Sequence, residues 1–343
     1  MEPVHRLPLA PFWKTQQKLA RDQAGELSLK ASDLLSVSGV TLEPGGRQAL
    51  VTFALTREVL VVELGSELSW SLLPLDVEPP AGEGFMGLNW VRAHPTASPG
   101  MLVVEDAHLG GGGMDPNSTV GLVNVKTRAR VLNLTDSKFC EGTVAWRLSP
   151  NRRWLAASFY DDDACHLVLS VFDTRDGKLV HKLDLPPDDD FYGQRAVGVD
   201  EAGTSVAFAD DRSLRVYDVS TGEQLFELVD EDTQSVALTV TALLASGGER
   251  PPRVLDRASQ IWRSLPKECQ GGPIADVRDG RAALVRGAGA IEVVNLANAT
   301  ATTLFPKGAR GGEWLVAHDL DSGCTAAVSK KELLVFEPAR GVR

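Results

Sequence analysis

The sequence has too few cysteines for a disulfide frame, no long apolar run, no basic cluster and none of the common catalytic motifs. Each absence removes a class of protein. Cys140, Cys165, Cys269 and Cys324 are widely dispersed, with no C-x-x-C pair. In a chain of 343 residues that spacing reads as free thiols, with no cysteine pair at zinc spacing. No apolar stretch approaches the roughly 18 residues that a membrane-crossing helix requires. The opening segment, MEPVHRLPLAPFWKTQQKLA, shows no basic region leading into a continuous apolar core. No secretory signal is therefore expected, and the cytoplasm is the expected location. The longest basic clusters are the dipeptides Arg152-Arg153 and Lys330-Lys331, against a formal net charge of −11. Nucleic acid and anionic membrane both need basic surface, so neither is expected as a partner. G-x-S-x-G, H-E-x-x-H and G-x-x-x-x-G-K are all missing. No enzyme activity and no cofactor is therefore expected.

What is present is a repeat. The balance of 43% hydrophobic and 24% charged residues is that of a soluble globular chain. Within it, an alternating strand closes on an apolar residue plus Asp, Asn or Glu, followed by a polar turn. That pattern occurs at Val62-Glu63, Val123-Asn124, Phe172-Asp173, Tyr217-Asp218, Leu255-Asp256, Val294-Asn295 and Phe336-Glu337. The spacings between its polar residues are 61, 49, 45, 38, 39 and 42. Four-stranded propeller blades repeat about every 40–45 residues, so the last five copies sit near that period and the first two carry longer loops. In the fourth copy, RAVGVD reads as the inner strand a, SVAFAD as b, LRVYDV as c and LFELVD as the outer strand d. High Val content, period-two alternation and Gly-rich turns favour strand over helix. The polar residue closing strand c is suited to accept hydrogen bonds from backbone N–H groups of the next turn.

These stretches resemble the WD-repeat β-propellers. WRLSPNRRWLAASF (146–159) is similar to strand a, turn and strand b of such a repeat; LLASGGERPPRVLD (243–256) and SLRVYDVSTGEQLFEL (213–228) are similar to strands b through d. The family's Gly-His at the d–a junction is missing, and its Trp-Asp appears as Tyr-Asp, Phe-Asp or Leu-Asp. The resemblance implies an all-β, seven-bladed propeller over residues 25–343, with blades near 35–77, 85–136, 142–187, 194–232, 233–268, 272–307 and 313–338. The last copy supplies three strands, and GELSLK (25–30) is expected to add the fourth and close the ring. Residues 1–24 form an N-terminal arm in which APFWKTQQKLARDQ suits a short helix. Its Phe12, Trp13 and Leu19 are expected to tuck against the propeller.

Candidate chemistry is sparse. The histidines (His5, His94, His108, His166, His181 and His318) are scattered over different blades and termini. The glycine run LGGGGMD (109–115) leads into a strand without a helix or Lys, which suits a flexible b–c hairpin rather than a phosphate cradle. In FYDDDACH (159–166), Cys165 and His166 are neighbours on a strand and point to opposite faces, so no metal site is expected.

Acidic runs stand out. They are Asp161, Asp162 and Asp163; Asp188, Asp189 and Asp190, followed by Phe191 and Tyr192; Asp210 and Asp211; and Asp230, Glu231 and Asp232. These eleven carboxylates equal the whole net charge. In a meander, b–c hairpins and d–a connections share one end, so all four runs should converge on one face of blades three and four. Charged loops keep a β-rich protein soluble, yet such crowding also carries self-repulsion. Aromatics beside a charged patch suit a protein interface. The leading expectation is a non-catalytic scaffold or adaptor presenting this face to a basic protein or peptide. The alternative is an enzyme or small-molecule binder using the axial channel, marked by Arg147, Asp200 and Asp276. The Ala, Gly, Val and Arg usage suits a GC-rich, bacterial genome.

Overall fold

The computed structural model describes residues 2–13, 36–54, 58–75, 89–108, 117–135, 144–161, 166–185, 195–229, 233–247, 251–266, 269, 271–278, 280–285, 289–304, 306 and 314–337. Their strands form a seven-bladed β-propeller of four-stranded antiparallel sheets. The chain divides into two compact units, one holding residues 1–95, 100–133 and 305–343, the other 96–99 and 134–304.

In the first unit, β1 (His5–Pro8) is followed by the sheet of β2 (Val37–Leu42), β3 (Gln48–Phe53), β4 (Glu58–Leu64) and β5 (Leu68–Pro74). The next sheet is β6 (Asn89–Pro95), β7 (Met101–His108), β8 (Asn117–Asn124) and β9 (Ala129–Thr135). The second unit holds four sheets. They are β10 (Ala145–Leu148) to β13 (Leu179–Asp184), with β11 (Trp154–Asp161) and β12 (His166–Asp173) between; and β14 (Ala196–Val199) to β17 (Gln224–Val229), with β15 (Ser205–Ala209) and β16 (Ser213–Asp218) between. Then come β18 (Ser235–Leu238), β19 (Ala242–Ser246), β20 (Arg253–Asp256) and β21 (Ile261–Ser264); and β22 (Ile274–Arg278), β23 (Arg281–Val285), β24 (Ile291–Asn295) and β25 (Thr300–Leu304). Back in the first unit, β26 (Leu315–His318), β27 (Thr325–Val328) and β28 (Glu332–Phe336) make up the last blade with β1.

The inner strands are buried on both faces because each sheet is covered by its neighbours within a unit. Every residue of β14 and β15 is buried, whereas outer β17 alternates. Val197, Val199, Val206 and Phe208 pack with Leu169, Val171 and Leu185 of the preceding blade. The opposite faces of the same sheet, at Ala207, Ala209 and Leu214, pack with Val236, Leu243 and Leu255 of the next. Two-sided burial turns alternation into near-continuous apolar runs, and it places the core between blades rather than at one centre.

The polar residue closing strand c caps the turn as its chemistry suggests. Asn124 accepts N–H groups from Lys126 and Thr127, Asp218 from Ser220 and Thr221, and Asp256 from Ala258 and Ser259. Asp173 accepts from Arg175 and Asn295 from Ala297. Four residues beyond each, the backbone turns left-handed: Gly177 (φ 73°) and Gly222 (φ 73°), but also Arg128 (φ 55°), Gln260 (φ 59°) and Ala299 (φ 54°). The repeat is thus one turn geometry written with varied residues.

Closure comes from the N-terminus, through a different segment from the one expected. The outer strand of the last blade is β1, with His5 opposite Val335 and Pro8 opposite Glu332. Residues 25–30, expected in that place, lie outside the described residues. Pro8 is tolerated because an outer strand needs no donor toward solvent. Residues 9–13 anchor the strand. Leu9 donates its N–H to Lys331 O (2.9 Å). Residues 10–13 form a helical turn in which Phe12 and Trp13 are buried. The Trp13 ring meets Phe53 edge-on, and its Nε1–H donates to Lys330 O at 2.6 Å. Burial of two aromatics outweighs the better alternation of GELSLK. Leu19 lies outside the described residues.

Candidate functional site

Two regions of the second unit bear on the candidate residues. The first is the end of blades three and four that carries the acidic runs. β11 ends at Asp161 and β12 starts at His166; β13 ends at Asp184 and β14 starts at Ala196; β15 ends at Ala209 and β16 starts at Ser213; β17 ends at Val229 and β18 starts at Ser235. In an antiparallel meander these eight strand ends share one end of their sheets. Asp162, Asp163, Asp188, Asp189, Asp190, Phe191, Tyr192, Asp230, Glu231 and Asp232 lie outside the described residues.

Asp210 and Asp211 differ from each other. Asp210 is buried, and its carboxylate accepts N–H groups from Arg212 and Ser213 (2.9 and 2.7 Å) and pairs with the Arg215 guanidinium. Its role is to hold the β15–β16 hairpin, while Asp211 is exposed. Nearby, His166 Nε2 lies 2.9 Å from Asp184 Oδ1, tying the start of β12 to the end of β13. Val229, 79% exposed, directly precedes Asp230.

The second region is formed by the innermost strands. Arg147, half-buried on β10, reaches past the fourth blade to the fifth and sixth. Its Nη1 and Nη2 donate to Ile274 O (3.1 and 2.6 Å), and Nη2 also donates to Ser235 Oγ (3.4 Å). Ser235 Oγ accepts a further bond from Ile274 N (3.2 Å). Burial pushes the Arg147 guanidinium down to about 10, opposed by the Asp276 carboxylate, so it stays charged at neutral pH. Asp276 itself, on β22, lies 3.4 Å from Arg152 Nη2. A β-bulge at Ala275 breaks the β22–β23 register between Ile274 and Asp276, the kind of irregularity that re-aims neighbouring groups.

Arg147 and Asp276 therefore come together, whereas Asp200 does not join them. Asp200 caps its own turn by accepting Thr204 N (2.9 Å) and lies 3.5 Å from Arg257 Nη1. Arg152 reads in the sequence only as half of a basic dipeptide. No local pattern signals that a residue at φ 58° in the β10–β11 turn reaches a strand 124 positions away.

Among the described residues, His318, Cys269 and Cys324 are held inside their blades. His318 is buried with Nδ1 2.8 Å from Thr325 Oγ1. The buried Cys269 thiol donates to Glu292 Oε2 at 2.7 Å. Burial, aided by Asp319 and Glu337, pushes the Cys324 thiol up to about 12, so it is protonated and a poor nucleophile. Among the described residues no three His, Cys, Asp or Glu side chains are placed to hold a metal ion.

Fold and strand order define a seven-bladed β-propeller. No protein-family model and no curated protein sequence matches the chain. Among solved structures it is similar to the crystal structure of BamB from Moraxella catarrhalis. Identity is 12%, with a TM-score of 0.48, over 90% of this chain and 84% of that one. A likeness this distant says nothing of function.

Proposed function

We propose that the protein is a non-catalytic, cytoplasmic interaction scaffold. One end of blades three and four takes a basic protein or a Lys/Arg-rich peptide. The observation that carries this reading is the shared position of the strand ends flanking all four acidic runs. Val229 supplies exposed apolar surface beside one run, a combination in which burial gives affinity and charge gives steering. Asp210 is excluded from the contact set, because its charge is used inside the hairpin. The Asx-capped turn after strand c further supports placing the blades among degenerate WD-type repeats.

Fluorescence anisotropy with a labelled oligolysine peptide tests the reading. Wild type should bind, and binding should weaken with salt as charge steering requires. Changing Asp161–Asp163 and Asp188–Asp190 to Ser should weaken it about tenfold or more, roughly 1.4 kcal/mol. Equal affinity in the two proteins would reject the acidic end as the binding surface.

A further inference from the structure

The outer strand of the fourth blade, β17, ends its sheet, and no strand among the described residues pairs with its far edge. Which of its backbone groups reach that edge follows from β16. Ser213 accepts the Asp210 N–H on its carbonyl and donates its own N–H to Asp210 Oδ1, so its backbone faces the β15 hairpin. Asp218 N donates the other way, to Glu223 O. Alternate residues of an antiparallel strand turn their backbone groups to the same side. Leu214 and Val216 therefore face β17, opposite Leu228 and Phe226. Glu227 and Val229 then turn their N–H and C=O groups outward, onto the open edge. The side chains sort in the same way. Phe226 packs against the core shared with blade five, while Leu225 (48% exposed), Glu227 and Val229 stand exposed on the other face. There the Arg215 guanidinium meets two carboxylates, Asp210 and, at 3.8 Å, Glu227, which leaves the edge negative. The other outer strands offer less. β13 carries Lys182, β9 Arg130, β21 Arg263 and β1 Pro8, residues of the kind that blunt an edge. Trp70 of β5 meets the Phe12 ring at 4.6 Å, and the exposed residues of β25 are threonines.

We propose that β17 is a docking edge for an extended segment of a basic protein, which adds to blade four as a fifth strand. The segment places a Lys or Arg opposite Glu227 and apolar residues two positions to either side, over Leu225 and Val229. This inference rests on the reading that a basic protein binds at the acidic end, and it names the manner of binding. Main-chain bonds to Glu227 and Val229 supply affinity, and the alternate side chains supply selectivity. The chain passes from Val229 straight into Asp230, Glu231 and Asp232, which favours further Lys or Arg beyond one of the apolar residues.

The probe is a labelled peptide with the core Thr-Val-Thr-Lys-Thr-Val between lysines, made as two isomers. One is N-methylated at its Val residues and central Lys, the other at its Thr residues. A strand shows its N–H groups alternately on two edges, so each isomer has one edge blocked while charge and composition stay equal. Anisotropy with the full chain should show the isomers differing by about tenfold or more in Kd. Val229→Pro removes an outward N–H and no bond to β16, a change an edge strand tolerates. It should weaken the tighter isomer several-fold and leave oligolysine binding unchanged. Oligolysine bound, with the two isomers equal, would overturn strand addition and leave the acidic-end reading standing. Failure of oligolysine and both isomers alike would overturn both. Unchanged binding of the tighter isomer to Val229→Pro would overturn the assignment to β17, and the comparison of isomers in wild type stays decisive even if that variant fails to fold.

Discussion

Asp173 shows how much one residue of the repeat does. It is 6% exposed and accepts Arg175 N (2.9 Å) together with the Arg175 side chain, with Arg153 at 3.6 Å. Asp173→Ala should destabilise the protein by about 0.5–1.5 kcal/mol, the usual net worth of a hydrogen bond whose donor, here Arg175, stays open to water. Asp173→Asn, which keeps an acceptor for the turn, should lose less. Urea unfolding of the two variants checks the order, and equal losses would deny the turn its role. The Arg175 side chain holds the Asp173 carboxyl below its ordinary 3.8. The Ser220 hydroxyl does the same for Asp218, and the Ser259 N–H for Asp256. Groups with lowered values stabilise the fold above pH 3.8 and lose that contribution as pH falls through the lowered values. Acid unfolding should therefore set in below about pH 4 and shift upward in Asp173→Asn. Gln260→Gly should instead raise stability by up to about 1 kcal/mol, because glycine accepts φ 59° without the side-chain clash. At this scale the sequence was readable: the Asx habit predicts the cap. The left-handed position was not, since Arg, Gln and Ala stand where glycine would announce it.

At the scale of elements, the last blade depends on a four-residue strand held by its neighbours. β1 has little alternation to advertise it, and a pattern search prefers 25–30. The difference lies in tertiary packing: Leu9, Phe12 and Trp13 join the cluster that contains Leu333 and Val335. Trp13→Ala should lower stability by about 3 kcal/mol, as large aromatic truncations do, and loosen β1. Hydrogen exchange should then quicken in β28, whose outer edge β1 covers, and stay unchanged in β23 of the second unit. Unchanged exchange in β28 would show that β1 holds its place without the anchor. The inner-strand cluster was only partly readable. Arg147 and Asp276 fall on strands predicted to be innermost, so their meeting follows from topology. Arg152 depends on a turn conformation, and Asp200 is drawn away by Thr204 and Arg257.

For the whole molecule, periodicity carried more information than any motif. Seven recurrences of one strand-and-turn pattern specify seven sheets, because each copy supplies a hydrophobic face that only a neighbouring copy can cover. Function is less legible. The fold alone does not name a function; specific sites on it do. The central claim is that the acidic end of blades three and four recognises a basic protein. The direct test is an affinity pull-down from native lysate, read by mass spectrometry. Wild type runs beside the Asp161–Asp163, Asp188–Asp190 serine variant. A second variant, Asp176→Ser with Glu223→Ser, removes exposed charge from the opposite end of the same blades. The account predicts a basic protein retained by wild type and the second variant and lost from the first. The same proteins captured by all three, or none by any, would contradict it.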